Sequence, residues 1–317
     1  MAHKNIKLGI SYALMNVLCG ALYIVWGEPL LQVFSPMTFA FLENFIAFLF
    51  LLWAYGLYPE WKKFKQLSWR KISAILALAV CSSVIAPYLF YWGWSLSSAT
   101  NTFLLSRFEM LFTILFALIF LHERLTLQKI WGILSMFLGV IVLATHGFQY
   151  ILEMQPGDIL LILAGIFWAF GSIVFKKYAQ EVSTELILFS RFLIGSIVFG
   201  VLMSLAQESQ ILLKQVSLLD LQHLALYVIF AVIYAKYFYL KAVKVAPLYI
   251  FSTVTLAAPG LGLFLNYIFL GEIPQTFHYI GALFLMLGFM ILQTHLEKLQ
   301  HRHHLHHLHP QPQSVRA

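Results

Sequence analysis

Apolar runs of about twenty residues recur ten times along this chain, near residues 8–26, 36–56, 72–95, 99–121, 127–145, 157–176, 183–206, 221–242, 246–270 and 276–294. At about 1.5 Å rise per residue, each run is long enough to cross a hydrocarbon layer about 30 Å thick as an α-helix. So much apolar surface has no place in water, and the expected solvent is a lipid bilayer. Composition agrees: hydrophobic residues make up 61% and charged residues 10% of the chain, against about a quarter charged in soluble domains. Neither strand alternation nor a soluble domain is read. The expected class is all-α, integral to a membrane, with ten transmembrane helices.

The polar start from Met1 to Lys7 leads into an apolar run that continues to about Trp26 without a small-x-small cleavage site. It reads as a retained first span rather than a signal peptide. Cys19 and Cys81 both lie inside spans and make no disulfide framework. With the N-terminus placed in the cytoplasm, sixteen Lys and Arg fall in cytoplasmic segments: Lys4, Lys7, Lys62, Lys63, Lys65, Arg70, Lys71, Arg124, Lys129, Lys176, Lys177, Lys241, Lys244, Lys298, Arg302 and Arg316. The opposite face holds Lys214 alone, and Arg107, Arg191 and Lys236 fall within spans. Cytoplasmic loops carry the excess of cations, so both termini are expected inside.

An internal repeat organises the spans. A constant offset of 149 residues aligns Phe120, Leu121, Glu123, Gly132, Gly139, Thr145 and His146 with Phe269, Leu270, Glu272, Gly281, Gly288, Thr294 and His295. Each half, 1–148 and 149–295, then holds five spans. Five is odd, so the second half is expected to enter from the opposite side. Inverted repeats of this kind recur in secondary transporters, which bind solute near the midplane between the halves. Residues 296–317, rich in His from His301 to His309, are expected to form a disordered cytoplasmic tail.

Particular residues carry a family resemblance. Phe-Leu-His-Glu-Arg-Leu-Thr at 120–126 precedes a Gly-spaced helix, and Leu-Gly-Glu at 270–272, downstream of Ala258-Pro259, precedes another. Ile166-Phe167-Trp168-Ala169 opens the second half, and Arg191 sits in its second helix. Over nearly the whole length the chain resembles the EamA family of the drug/metabolite transporter superfamily. That resemblance implies five plus five inverted helices in the cytoplasmic membrane of a bacterium, and export or exchange of small metabolites such as amino acids. Two departures stand out. The family's Glu-Pro pair is split, as Glu109-Met110 in the first half and Ala258-Pro259 in the second. The first half also has Glu43-Asn44 near the position of the second half's Arg191.

Ionisable groups at mid-span cost roughly 2.5–3.5 kcal/mol on insertion scales and persist where they face a cavity or a partner. Glu43, Arg107, Glu109, Arg191 and Lys236 are therefore the candidate pathway residues. On a continuous helix Arg107 and Glu109 point about 200° apart, so they are not expected to pair. A Glu43–Arg107 pair matches in depth and would leave Glu109 to the cavity or a buried donor. Lys236 falls opposite Pro87 under the offset, which suggests a shared pathway in which Lys236 meets a solute anion or Glu109. Snorkelling to the cytoplasmic surface is the bland alternative. Pro87 frees a backbone carbonyl, and Pro259 is expected to kink the ninth helix as a gate or a packing bend. The aromatics at 88–92 and 234–239 are expected mainly to pack or face lipid.

Glu123 and Glu272 read as helix-end caps or loop anchors. The glycines at 132, 139, 281 and 288 read as close packing, within a protomer or between the protomers of a homodimer. No phosphate-binding loop, cofactor motif or metal site is read, and the His-rich tail reads as a solvated segment. An enzyme such as a membrane-embedded transferase would need clustered acids, His or Cys at a membrane surface, and these are missing. A non-transporting scaffold or sensor would not need ionisable groups at mid-depth. The partners expected are a small solute and the bilayer, with no nucleic acid.

Overall fold

The computed structural model describes residues 6–56, 62, 64–65, 67–120, 126–148, 155–206, 216–245, 254–255 and 257–308, with side chains at all but 6, 55, 243 and 293–308. Glu123, the tail from residue 309 and the loop cations Lys4, Lys63, Arg124, Lys214 and Arg316 lie outside these residues. Among the described residues every regular element is helical. They run α1 (Ile6–Val33), α2 (Pro36–Tyr55), α3 (Trp69–Val80), α4 (Ala86–Ser95), α5 (Ala99–Leu105), α6 (Phe108–Phe120) and α7 (Leu127–Ala144). The second half continues with α8 (Pro156–Val174), α9 (Thr184–Leu205), α10 (Leu218–Tyr227), α11 (Tyr234–Val245), α12 (Ala258–Leu270) and α13 (Thr276–Leu308). π-Helical turns join α3 to α4 at Cys81–Ile85, extend α8 at Phe175–Ala179, and join α10 to α11 at Val228–Ile233.

Eight of these helical rods are long and apolar enough to cross a membrane: α1, α2, α3–α4, α5–α6, α7, α8 with its π turn, α9 and α10–α11. Two shorter apolar helices follow, Ala258–Leu270 and Thr276–Leu292. The ninth expected span is incomplete because residues 246–253 and 256 are outside the described set. Helix starts are written in the connections. Ser98 accepts from the Asn101 amide at 3.0 Å, Ser35 from Thr38 at 3.3 Å, and Ser217 forms a reciprocal capping box with Asp220, each meeting amides the first turn leaves unpaired.

Four boundaries differ from the sequence expectation. α1 runs to Val33 rather than ending near Trp26, and within the added turns the Glu28 carboxylate accepts from the Trp94 indole N–H at 2.5 Å. The fourth rod is not continuous. It breaks at Ser106–Arg107 into α5 and α6, so the 100°-per-residue relation between Arg107 and Glu109 does not apply across the break. Pro259 does not kink a continuous helix: it occupies the first turn of α12, where a missing N–H costs nothing. The last helix continues to Leu308, through the first part of the segment expected to be irregular.

Packing follows the repeat. α7 packs on α13 and α2 on α9, and each pair joins helices that the 149-residue offset makes equivalent. α1 packs on α11 as α8 packs on α4, and α1 on α12 as α8 on α6. Exchanging the halves therefore exchanges the contacts. α7 and α13 cross antiparallel. Ser135 Oγ donates to the Phe284 carbonyl at 2.9 Å, a pair separated by 149 residues. On either side Gly132 meets Gly288 and Gly139 meets Gly281. A Cβ on Gly288 would stand 2.6 Å from the Gly132 oxygen, and one on Gly139 2.9 Å from the Gly281 oxygen. The four glycines thus let two helices of one protomer touch backbone to backbone, the small-residue packing common in membranes.

Candidate functional site

Glu43, from α2, is almost fully buried and surrounded by donors. Its Oε2 accepts from Tyr23 of α1 at 3.1 Å, from Tyr227 of α10 at 3.4 Å and from Tyr91 of α4. Its Oε1 faces Lys236 Nζ of α11 at 3.1 Å. Three rods thereby converge on the carboxylate of a fourth. Aromatic rings form its wall: Tyr23, Phe39, Phe90, Tyr91, Trp94 and Tyr227 lie stacked, tilted or edge to face with centroids 5.0–6.4 Å apart. Lys236 lies 5.0 Å from the Phe192 ring centre and keeps 26% of its side chain accessible, against 2% for Glu43. A buried carboxylate that keeps its charge needs such donors on every side.

The second centre is set by the π turn before Pro87. Inside it the Ala86 amide reaches back five residues to the Cys81 carbonyl. The next donor in that register would serve Ser82, but residue 87 is proline and has no N–H. Two side chains take the freed Ser82 oxygen: Arg191 Nη2 of α9 at 3.1 Å and the Trp168 indole of α8 at 3.3 Å. Arg191 Nε also donates to Ser83 Oγ at 3.0 Å. Glu109, in the first turn of α6, accepts from Ser172 at 3.0 Å and lies within Coulombic reach of Arg191 and Arg107. Under the 149-residue offset the π turn at Val228–Ile233 falls at the same level of the second half, with Lys236 in the place of Pro87.

Arg107 occupies the break between α5 and α6. Its guanidinium carbon lies 4.4 Å from the Phe103 ring centre, and its Nε has no acceptor among the described residues. The structure thus brings all five sequence-flagged charges to one seam, with Glu43, Arg107 and Glu109 from the first half and Arg191 and Lys236 from the second. The pairing differs from expectation. Glu43 takes Lys236, not Arg107, and the acid facing Lys236 is Glu43, not Glu109. Depth along a span is legible in sequence, whereas the direction a side chain faces depends on how neighbouring rods pack.

Sequence reading missed Tyr23, Tyr227, Ser82, Ser172 and Glu28, and placed Tyr91 among aromatics expected mainly to pack or face lipid. The tyrosines and serines are ordinary in apolar spans, so composition raises no flag. Glu28, one residue before Pro29, was a legible signal just beyond the expected end of α1. Glu272 lies outside this seam. It caps α5 across the two halves, accepting from the amides of Ala99 at 3.0 Å and Thr100 at 2.7 Å and from the Thr100 hydroxyl, the placement a carboxylate favours at a helix N-terminus. Nearby, Asp158 accepts from Ser97 at 2.8 Å and Asn101 at 2.7 Å, beside a cleft of about 650 Å³ lined by Ser97, His146, Glu272 and His278. Among the described residues no group of His, Cys, Asp and Glu could hold a metal ion.

Membrane-length helices in two repeats, with ionisable groups kept inside the seam, define a class: integral membrane proteins with the arrangement of solute carriers. The family follows by comparison. The profile of the EamA-like transporter family matches residues 7–145 and again 155–294, and the chain belongs to that family. It is similar to a protein of Synechocystis sp. described as an uncharacterized transporter, at 23% identity over 239 residues, 73% of this chain and 68% of the relative. A protein of Methanothermobacter thermautotrophicus with the same description is 34% identical over 110 residues, 34% of this chain and 32% of its own length. In fold the chain is similar to a solved crystal structure, with a TM-score of 0.61 at 16% identity over 91% of this chain and 99% of that one.

Proposed function

We propose that this chain is a secondary transporter that exports or exchanges a small polar, zwitterionic or anionic metabolite, such as an amino acid, by alternating access. In this reading ten helices form two inverted five-helix halves in a bacterial cytoplasmic membrane, with both termini cytoplasmic. One observation carries it: charges from both halves meet within spans, and three of them, Arg107, Glu109 and Lys236, sit beside interruptions in their rods. Keeping five ionisable groups in hydrocarbon is costly, and a purely structural bundle has no need of them. A pair such as Glu43–Lys236 that bridges the halves is a contact which rocking of one half against the other would make and break.

The test is solute counterflow in reconstituted vesicles preloaded with a mixture of amino acids and organic acids, normalised to inserted protein. The unsubstituted protein should exchange at least one solute, and Lys236→Met, which leaves the Glu43 carboxylate without its ammonium, should lower exchange at equal inserted protein. No exchange of any solute by correctly inserted protein would sink the transporter reading. Undiminished exchange by Lys236→Met would remove that residue from the pathway.

A further inference from the structure

Helix α1 presents Asn16, Gly20, Tyr23 and Gly27 on one stripe, at spacings of four, three and four residues. Three of these positions are filled by neighbours. Asn16 donates to the Ala235 carbonyl at 2.9 Å, beside Lys236. Tyr23 bonds to Glu43. A Cβ on Gly27 would stand 2.4 Å from the Trp94 ring. Gly20 differs. Apart from its own helix, a Cβ there meets one described atom within 4 Å, Nη2 of Arg107, at 4.0 Å. Among the described residues, then, Gly20 faces a guanidinium, and the Trp94 and Tyr227 rings close the stripe toward Gly27.

The state of Arg107 says what fits there. Arg191 gives two of its N–H groups to the Ser83 hydroxyl and the Ser82 carbonyl, and Lys236 faces Glu43. Arg107 has no carboxylate within 4 Å and an unpartnered Nε among the described residues. Phe103 lies 4.4 Å from its guanidinium carbon. Stacking of this kind occupies the face of a guanidinium and leaves its in-plane N–H fork free, and that fork matches a planar carboxylate. Counted with every group ionised, the five seam residues sum to plus one, a balance that favours one carboxylate charge over a dianionic phosphate.

We propose that Gly20 and Arg107 frame a subsite for a single carboxylate, which, on the transporter reading above, belongs to the carried solute. A free acid and the carboxylate of a zwitterion share this chemistry. In a Cys19→Ser, Cys81→Ser background, Gly20→Cys places a thiol in the subsite. The anionic reagent 2-sulfonatoethyl methanethiosulfonate should modify it faster than the cationic 2-(trimethylammonio)ethyl reagent. Arg107→Gln should cut that rate ratio by about tenfold or more, while Arg107→Lys should keep most of it. 3-Phenylpropionate should slow the labelling, and phenethylamine, alike in size but cationic, should not. L-Phenylalanine then separates the sources: protection by it as well as by the acid assigns the site to zwitterions, and protection by the acid alone to free acids. A thiol that neither reagent reaches, a ratio indifferent to Arg107→Gln, or protection by the amine alone would overturn the subsite. If the labelling preference stands but the unsubstituted protein exchanges no solute, the transporter reading fails and the anion subsite survives.

Discussion

Glu43 is the residue on which most of the seam depends, since three phenols and an ammonium are directed at its two oxygens. Removing one member of a buried pair costs about 3–5 kcal/mol, because the other charge is left without compensation. For Lys236→Met the low end, about 3 kcal/mol, is expected, since a quarter of the Lys236 side chain is accessible. Glu43→Gln alone should also destabilise, by stranding Lys236. The double variant Glu43→Gln, Lys236→Met removes both charges and should recover most of the lost melting temperature in detergent without recovering exchange. Two single effects that simply add in the double variant would show that the pair is not coupled. At this scale the sequence exposes which residues are anomalous but not whom they meet. Glu43 and Arg107 match in depth, yet Lys236 occupies the position facing Glu43.

Among the elements, α2 and α9 bring Glu43 and Arg191 on unbroken helices, whereas Pro87, Lys236 and Arg107 stand beside interruptions: π turns at Cys81–Ile85 and Val228–Ile233 and a break at Ser106–Arg107. Such irregular backbone at membrane depth is tolerated where protein or a cavity satisfies it. Pro87 shows how. By withholding one amide it makes the Ser82 carbonyl available to Arg191 and Trp168. Pro87→Ala supplies a competing donor, and the rod can fold without strain. Arg191 should lose about 0.5–1.5 kcal/mol of anchoring, so exchange should weaken while melting temperature holds or rises. Unchanged exchange would mean that Arg191 is held well enough by Ser83 alone. The proline was visible in the sequence; which carbonyl it frees depended on the five-residue register of the π turn.

Over the whole molecule, the exchange of contacts between halves and the antiparallel crossing of α7 and α13 at Gly132–Gly288 and Gly139–Gly281 support an inverted repeat. With the cation bias of the loops, this predicts sidedness. In whole cells, an impermeant thiol reagent should label Glu153→Cys and spare Lys63→Cys until the membrane is opened. The reverse pattern would invert the molecule, and labelling of both would break the span count.

By itself the sequence determined the solvent, the class, the repeat, the family resemblance and the depth of each charge. These follow from one-dimensional quantities: run length against bilayer thickness, a constant offset, and position along a rod. Only the tertiary structure decided that Glu43 meets Lys236, that the glycines close one protomer's own helix pair, that Pro259 starts a helix rather than bending one, and that Arg107 stands at a break facing Gly20. Each of these depends on the rotation of a rod about its axis and on its neighbours. In a bilayer every rod is apolar on nearly all sides, so hydrophobic periodicity, which orients helices in water, says little about which face turns inward.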